Sequence, residues 1–314
     1  MASRGSPLAL AQTEIVAARV RAAYPSIEIE IITVTTTGDA DPRPFRVIGG
    51  RGLFVAEVER AVLEGRADVA VHSAKDLTTQ LAEGAAIVCV AERGSPADVV
   101  VGGSGSSGEE RLGSLAPGAV VGTSSARRRA LIAEARPDLE VADLRGNLGS
   151  RLARVERAEI DAAVVAAAGL ERLAPDPAPP ASILDPAWWV PAPAQGALVV
   201  EARAGRHDVA ELFEPLDDTG ARREVECERA FAARLEGGCS VPLGCLARAD
   251  GAGLVVTGYV GAPDGSSGLR DRTSGPLEAA PSLGVELAEA LLAAGADEIL
   301  AEAASDDVAE VGLP

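Results

Sequence analysis

A short polar segment from His72 to Asp76 carries side chains suited to proton transfer and anion binding. It follows residues 68–71, which predict a buried strand, and open α/β sheets bind ligands at the carboxyl ends of their strands. Lys75 is the only lysine in the sequence, since every other basic residue apart from two histidines is an arginine. Lysine is a compact point charge and guanidinium a broad planar fork, so Lys75 indicates a place where arginine would not serve. The alternative is a lysine kept by chance on a solvated loop. Its position beside Asp76 at a strand end favours function.

Arginines cluster where two predicted helices follow strands. The first cluster, with its capping hydroxyls, comprises Thr123, Ser124, Ser125, Arg127 and Arg128, and the second comprises Arg145, Gly146 and Arg151. Cations at a helix start oppose the helix dipole, which favours acids there. We therefore favour an anion-binding site over a merely charged helix face.

Arg4 stands just before another predicted helix start, where Ser6 is a capping residue and Pro7 suits the first helical position. Exposed N–H groups at such a start favour an anion. A solvated terminal arginine explains Arg4 equally well from this segment alone.

Together these residues suggest a ligand with many carboxylates, because arginine pairs with each one bidentately and no small anion needs so many cations. The basic residues that we expect to face a cleft between two lobes are Arg4, Arg46, Arg51, Lys75, Arg127, Arg128, Arg145, Arg151 and Arg172. Asp76 is the one acid expected among them.

The four cysteines are Cys89, Cys227, Cys239 and Cys245, and they include no CxxC pair. With only two histidines in the chain, we expect no metal site. Cys239 differs from the others because two glycines precede it and place it on a turn after a predicted helix. A thiol there could be alkylated or act as a nucleophile, but the absence of a nearby histidine base argues against a papain-like hydrolase.

The formal net charge of −18 argues against nucleic acid or an anionic membrane as the main partner. No stretch approaches the roughly 20 apolar residues of a membrane span. The amino terminus lacks a basic-then-apolar export signal, so we expect a cytoplasmic protein.

The predicted elements form two α/β lobes followed by a third domain with an α+β pattern. Strands are expected at 27–34, 68–71, 86–90, 119–122, 140–144, 161–166 and 196–201, an ordered proline-rich loop at 175–193, and then a helix from 221, a hairpin over 254–273, a helix at 282–294 and a last strand near 298. Residues 196–201 are predicted to pass back into the first lobe. The expected domains are 1–94 with 196–216, then 95–195, then an α+β domain over 217–314.

Nine segments in order closely resemble the porphobilinogen deaminase (hydroxymethylbilane synthase) family, nearly from end to end. They are RGSPLALAQ, TTGD, GGRGLFVAEVE, ADVAVHSAKDL, GTSSARR, LRGNLGSRL, AAAGLERL, AQGAL and LEGGCSVPLG. The resemblance implies an α/β fold with two periplasmic-binding-protein-like (type II) lobes and a smaller α+β C-terminal domain. It implies a transferase of tetrapyrrole biosynthesis.

The resemblance also implies roles for individual residues. Cys239 would carry a dipyrromethane cofactor through a thioether, and Asp76 would be the catalytic acid. The implied cofactor-binding residues are Lys75, Ser73, Thr123, Ser124, Ser125, Arg127, Arg128, Arg145 and Gly146, and the implied substrate-binding residues are Arg4, Ser6, Arg46, Arg51, Arg151, Arg172 and Gln195.

The implied reaction joins four porphobilinogen molecules head to tail with loss of ammonia, and hydrolysis then releases hydroxymethylbilane. The implied protein is a monomer, and uroporphyrinogen-III synthase is a candidate partner for product hand-off. In this sequence only three residues precede Arg4, which puts the family's first strand in doubt. Positions often lysine in the family are Arg46 and Arg51 here, which keeps the charge.

A two-lobed binding protein for a polycarboxylate, without catalysis, is the alternative. The missing export signal, the cysteine on its glycine turn and the third domain argue against it.

Overall fold

The computed structural model describes residues 1–36, 52, 55–236, 241–251 and 253–311, with side chains described as far as residue 304. Three predicted site residues, Arg46, Arg51 and Cys239, lie outside the described residues.

The described elements alternate between strands and helices up to residue 234. The strands are β1 Ala2–Arg4, β2 Ile32–Val34, β3 Val69–Ser73, β4 Ala85–Arg93, β5 Asp98–Gly102, β6 Val120–Gly122, β7 Glu140–Ala142, β8 Ala162–Ala166, β9 Ala181–Ile183, β10 Ala197–Arg203, β11 Leu243–Asp250, β12 Gly253–Gly261 and β13 Gly268–Pro276. The helices are α1 Pro7–Ala23, α2 Ala56–Leu63, α3 Gly108–Gly113, α4 Ala126–Ala135, α5 Leu148–Glu156, α6 Ala167–Leu173, α7 His207–Phe213, α8 Thr219–Arg234, α9 Ala280–Ala293 and α10 Ala296–Val311.

Two five-stranded sheets share one connectivity. The first has the order β2-β1-β3-β10-β4 and the second the order β7-β6-β8-β5-β9. In each sheet the fourth position is an antiparallel strand that arrives from the other lobe, β10 in the first and β5 in the second. The chain therefore crosses between lobes twice. This confirms the predicted class of two periplasmic-binding-protein-like lobes and the return of residues 196–201 to the first lobe.

The first strand, which the sequence put in doubt, is present as β1. It pairs in parallel with β2 through Ala2↔Ile32, Ser3↔Thr33 and Arg4↔Val34. The strand expected over 27–34 is correspondingly short, because β2 bonds only to the three residues of β1 at this edge of the sheet.

The helix predicted at Pro7 is confirmed with its cap. The Ser6 side chain accepts a hydrogen bond from the Ala9 backbone N–H, and Val16 and Val20 bury one face of α1 against the sheet.

The third domain packs α8, α9 and α10 against an antiparallel sheet of order β11-β12-β13. The predicted hairpin is β12 with β13. The last strand, expected near residue 298, is wrong: Ala296–Val311 is helical, in keeping with its alanine and glutamate content, since both are strong helix formers. Strand β11 and helix α7 were not predicted, and the proline-rich loop over 175–193 contains the short strand β9.

The third domain contacts both lobes through apolar clusters. Leu246 and Tyr259 pack with Trp189 and Leu131 of the second lobe. Ala221 and Val225 of α8 lie in one buried cluster with Ala74 and Leu77 of the first lobe. The predicted domain boundaries stay a prediction.

Within the described part of the chain, no helix has both the length and the apolar character needed to cross a membrane.

Candidate active site between the two lobes

The predicted strand end at His72–Asp76 is present in the first lobe. Strand β3 ends at Ser73, and one turn of 3₁₀ helix, Ala74–Asp76, follows directly. Ser73 Oγ and the side chain of Gln12 are hydrogen-bonded, with Nε2 to Oγ at 3.0 Å. Arg4 ends the neighbouring parallel strand β1, so both residues lie at the same edge of the sheet.

Lys75 reaches the segment that connects the two lobes. Its Nζ donates to Gln195 Oε1 at 3.1 Å. Gln195 is fully buried, and its Nε2 donates to Pro96 O at 2.7 Å and Asp98 Oδ1 at 2.8 Å. Because these acceptors hold the amide nitrogen, the amide oxygen is the atom left to face Lys75.

Asp98 was not singled out from the sequence, yet it binds both predicted arginines of α4. Its fully buried carboxylate accepts from Arg127 Nη2 at 2.8 Å, from Arg128 Nη2 at 2.7 Å and from Trp189 Nε1 at 2.9 Å. Burial by itself raises the pKa of Asp98, but Arg127 and Arg128 outweigh it and hold that pKa well below its ordinary value.

Both arginines are therefore partly engaged by the protein itself. Arg127 Nη1 also donates to Val190 O at 3.0 Å, and Arg128 Nη1 to Val164 O at 3.1 Å. Both side chains are buried, and each Nε lacks a hydrogen-bond partner among the described residues. Arg127 is the more enclosed, and burial lowers its pKa.

The predicted hydroxyls hold the loop before α4. Ser125 caps the helix by accepting from Arg128 N at 3.4 Å. Thr123 Oγ1 accepts from Ser125 N at 3.2 Å, and Ser124 Oγ donates to Leu144 O at 2.7 Å. These bonds tie the end of β6 to the segment that leads to Arg145.

Gly146 forms the turn after Arg145. It has a φ of +95°, and a Cβ there would lie 2.3 Å from Ser150 Oγ. The turn presents Gly146 O to Arg151, whose Nε donates to it at 2.9 Å. Arg145 Nε lies 4.0 Å from Asp143 Oδ2.

Lys75 of the first lobe and Arg151 of the second both have a lowered pKa. The pKa of Lys75 is lowered from 10.5 to about 8, chiefly by burial and next by the Arg128 charge, while the Asp76 charge opposes the shift. The pKa of Arg151 is likewise lowered from its ordinary value to about 10, chiefly by burial and next by the Arg128 charge, while the Asp76 charge opposes the shift. The charges of Arg128 and Asp76 thus act on both Lys75 and Arg151.

Asp76 differs from Asp98 in its hydrogen bonds. No group among the described residues donates one to the Asp76 carboxylate, which is part-exposed. It is therefore able to accept from a ligand.

Two predicted substrate-binding residues, Arg172 and Ser6, make other contacts. Arg172 Nη2 donates to Glu92 Oε1 at 3.0 Å and to Gly196 O at 2.7 Å, so it joins α6 to the crossing strands. Ser6 caps α1. Their substrate contacts stay a prediction, as do the binding roles of the other predicted residues.

Asp98 begins a strand with the same Asp-then-apolar pattern as Asp68 and Asp161, which are exposed. No feature of the sequence separates the three. Gln12, which holds Ser73, likewise carries no signal beyond its place on an amphipathic helix.

The structure defines a two-lobed α/β protein that gathers cations and two aspartates, Asp76 and Asp98, between its lobes and carries a third, α+β domain. A family model described as porphobilinogen deaminase, dipyromethane cofactor binding domain, matches residues 1–211, and one described as porphobilinogen deaminase, C-terminal domain, matches residues 222–293. The chain belongs to the porphobilinogen deaminase family.

Solved structures with similarity to this chain include a periplasmic domain and two transporter-associated binding proteins. The periplasmic VFT2 domain of Bordetella pertussis BvgS is 14% identical, with 65% of this chain and 75% of that chain covered and a TM-score of 0.38. The amino acid transporter substrate-binding protein AbpA of Streptococcus pneumoniae is 14% identical, with 65% and 75% covered and a TM-score of 0.37. The probable amino-acid transporter extracellular-binding protein ytmK of Bacillus subtilis is 12% identical, with 66% and 79% covered and a TM-score of 0.41.

The depressed pKa of Lys75 can be measured directly because the chain has a single lysine. Reductive methylation with ¹³C-formaldehyde labels only Lys75 and the amino terminus. We expect the Lys75 resonance to titrate near pH 8, and to titrate lower in Asp76→Asn, since Asp76 raises this pKa. A midpoint above pH 10 would show that Lys75 is solvated and contradict the geometry.

Replacing Asp98 tests its role as counter-charge. Asp98→Asn leaves two buried guanidiniums without compensation, which should lower the free energy of unfolding by about 3 to 5 kcal/mol. Asp68→Asn is the matched control: Asp68 directly precedes β3, is exposed, and lies 3.6 Å from Arg206, so it should change stability by less than about 1 kcal/mol. Equal values for the two variants in urea denaturation would refute this role.

Proposed function

We propose that this chain is a transferase that joins four porphobilinogen molecules head to tail, with release of ammonia, to give hydroxymethylbilane. Membership of the porphobilinogen deaminase family supports this activity. The observation that carries it is the Asp76 carboxylate, which accepts no hydrogen bond from any described residue and acts electrostatically on both Lys75 of one lobe and Arg151 of the other.

The cations between the lobes suit a dipyrromethane, whose two rings bear carboxylate side chains. Lys75 and Arg128 would bind these carboxylates, with Arg145 and the backbone at Gly146 beside them. Charge-assisted hydrogen bonds from lysine and arginine to carboxylates are about twice as strong as neutral ones. When bound, the dipyrromethane supplies the pyrrole α-carbon to which substrate units are joined.

The chemistry of the other cysteines supports Cys239 as the attachment point. Cys89, Cys227 and Cys245 are buried, and burial raises the pKa of the Cys89 and Cys227 thiols to about 12 and that of Cys245 well above its ordinary value. The thiolate is the nucleophilic form, so these three thiols are poor candidates for alkylation. We therefore assign the thioether to Cys239.

Asp76 is the residue we assign to proton transfer and charge stabilisation. Loss of ammonia from porphobilinogen leaves positive charge on the substrate pyrrole. A carboxylate beside the pyrrole N–H stabilises that charge and accepts a proton when the new bond has formed. Arg151 would bind a carboxylate of the incoming substrate, since it belongs to the second lobe and the Asp76 charge acts on it.

Localisation in the cytoplasm remains a prediction from the sequence of the amino terminus. A monomeric state and hand-off of the product to uroporphyrinogen-III synthase remain predictions from the resemblance.

The intact mass of the purified protein tests the proposed function. We expect two extra pyrrole rings on the wild-type chain and on Cys227→Ala, and neither adduct nor turnover in Cys239→Ser, because a hydroxyl is a poor replacement for a thiolate. An adduct that persists in Cys239→Ser would move the attachment to another cysteine. A wild-type chain without adduct that still binds a polycarboxylate would favour the non-catalytic binding protein.

Substitution of Asp76 tests the chemical step. Asp76→Asn should keep the adduct but lower kcat by about a hundredfold or more, because an amide neither takes up a proton nor balances positive charge. Asp208→Asn, an exposed partner of Arg206, is the control and should keep the wild-type rate. A kcat for Asp76→Asn within about tenfold of wild type, roughly 1.4 kcal/mol, would exclude Asp76 as the acid.

A further inference from the structure

Arg229, on helix α8 of the third domain, reaches into the first lobe beside the candidate acid. Its Nη2 donates to Thr78 O at 2.8 Å and to Thr79 O at 3.1 Å. Thr78 is the second residue after Asp76. The arginine therefore binds the backbone that leaves the Ala74–Asp76 turn.

An apolar contact supports the same Ala74–Asp76 segment, from a position one turn earlier on helix α8. Val225 lies four residues before Arg229 and thus on the same face of α8. It is buried in one cluster with Ala74 and Leu77, the residues on either side of Lys75 and Asp76. Helix α8 thus holds the turn by packing on its apolar side chains and by binding the carbonyls that follow it.

Charges in the first lobe reinforce this contact. Burial lowers the pKa of Arg229, and the charges of the Glu201 and Glu59 carboxylates oppose that shift. Glu201 and Glu59 are buried, and burial together with the Glu201 charge raises the pKa of Glu59. His72 Nε2, on the strand that leads to the turn, lies 2.9 Å from Glu201 Oε2. Arg229 is therefore a cation of the third domain that interacts electrostatically with two buried acids of the first lobe.

Arg229 lies on the helix that precedes Cys239 in the sequence. Helix α8 ends at Arg234, five residues after Arg229, and Cys239 follows ten residues after Arg229. The helix that braces the Asp76 turn is the helix that leads to the proposed attachment point.

We propose that Arg229 is a positioning residue that clamps the Lys75–Asp76 turn to the third domain and keeps the Asp76 carboxylate directed between the lobes. This inference rests on the proposed function for its catalytic consequence, and Arg229 would act through the backbone of the turn, since it donates to Thr78 O and Thr79 O. A misplacement of about 1 Å in a reacting group can cost on the order of a hundredfold in rate. Loosening the turn should therefore reduce kcat more than it raises KM.

Three variants of the holoenzyme test the clamp. Arg229→Met keeps much of the side-chain length without donors or charge, and Arg229→Lys keeps a cation that can donate to a carbonyl. Arg223→Met is the control on the same helix, because Arg223 pairs with Glu226 of α8 at 2.7 Å. Intact mass, thermal unfolding, kcat, KM and the ¹³C resonance of methylated Lys75 are measured for each.

We expect folded, adduct-bearing Arg229→Met to lose about tenfold to a hundredfold in kcat, with KM changed by less than about threefold. Its Lys75 resonance should shift or broaden because the turn that carries the lysine is no longer fixed. Arg229→Lys should recover much of the rate, and Arg223→Met should match wild type in rate and resonance.

A wild-type kcat in folded Arg229→Met would overturn the proposal, as would a loss of rate that follows only the folded fraction while the Lys75 resonance stays unchanged. An equal defect in Arg223→Met would also overturn it. The absence of an adduct on the wild-type chain would refute the proposed function instead, and the effect of Arg229→Met on the Lys75 resonance would still test the clamp.

Discussion

The buried carboxylate of Asp98 makes the cation cluster between the lobes compatible with a folded protein. Arg127, Arg128 and Lys75 converge where burial disfavours each charge, and removing a charge from water is costly unless it is paired. Asp98 pairs with both arginines and, through Gln195, orients the amide that binds Lys75. One fully enclosed acid thus compensates several cations while leaving Asp76 to face a ligand. The two aspartates of the site have opposite tasks because their surroundings differ.

Asp98 does not fully compensate the positive charges between the lobes, and the remaining charge favours the binding of an anion. The pKa of Lys75 remains depressed by burial and by Arg128, and that of Arg151 is depressed in the same way. A carboxylate that enters between the lobes supplies the negative charge that Lys75 and Arg151 lack among the protein's described groups. The protein as a whole carries a net charge of −18 and repels anions, whereas the cation cluster between the lobes attracts them.

The third domain contributes more than a place for a cysteine. It packs on the second lobe through Tyr259 and on the first through Val225, so both lobes pack against the same domain. Arg93, at the end of β4, donates to Glu224 and Glu228 of α8 and so fixes that helix beside the lobe crossing. The site is therefore assembled from residues far apart in the chain and held by a helix that belongs to neither lobe.

The sequence by itself determined the two-lobed class, most of the elements, the strand end at Lys75 and Asp76, and the family. These features are local, since they depend on periodicity, caps and contiguous motifs. It misjudged residues 296–311 and the length of β2, because strand pairing depends on partners distant in the chain. Only the tertiary structure selected Asp98 over Asp68 and Asp161, placed Arg172 against Glu92 at the lobe crossing, and brought Arg229 to Thr78. These assignments depend on burial and on which charges meet across lobes, and a charge or a hydrogen-bond donor in a sequence does not reveal its partner until the chain has folded.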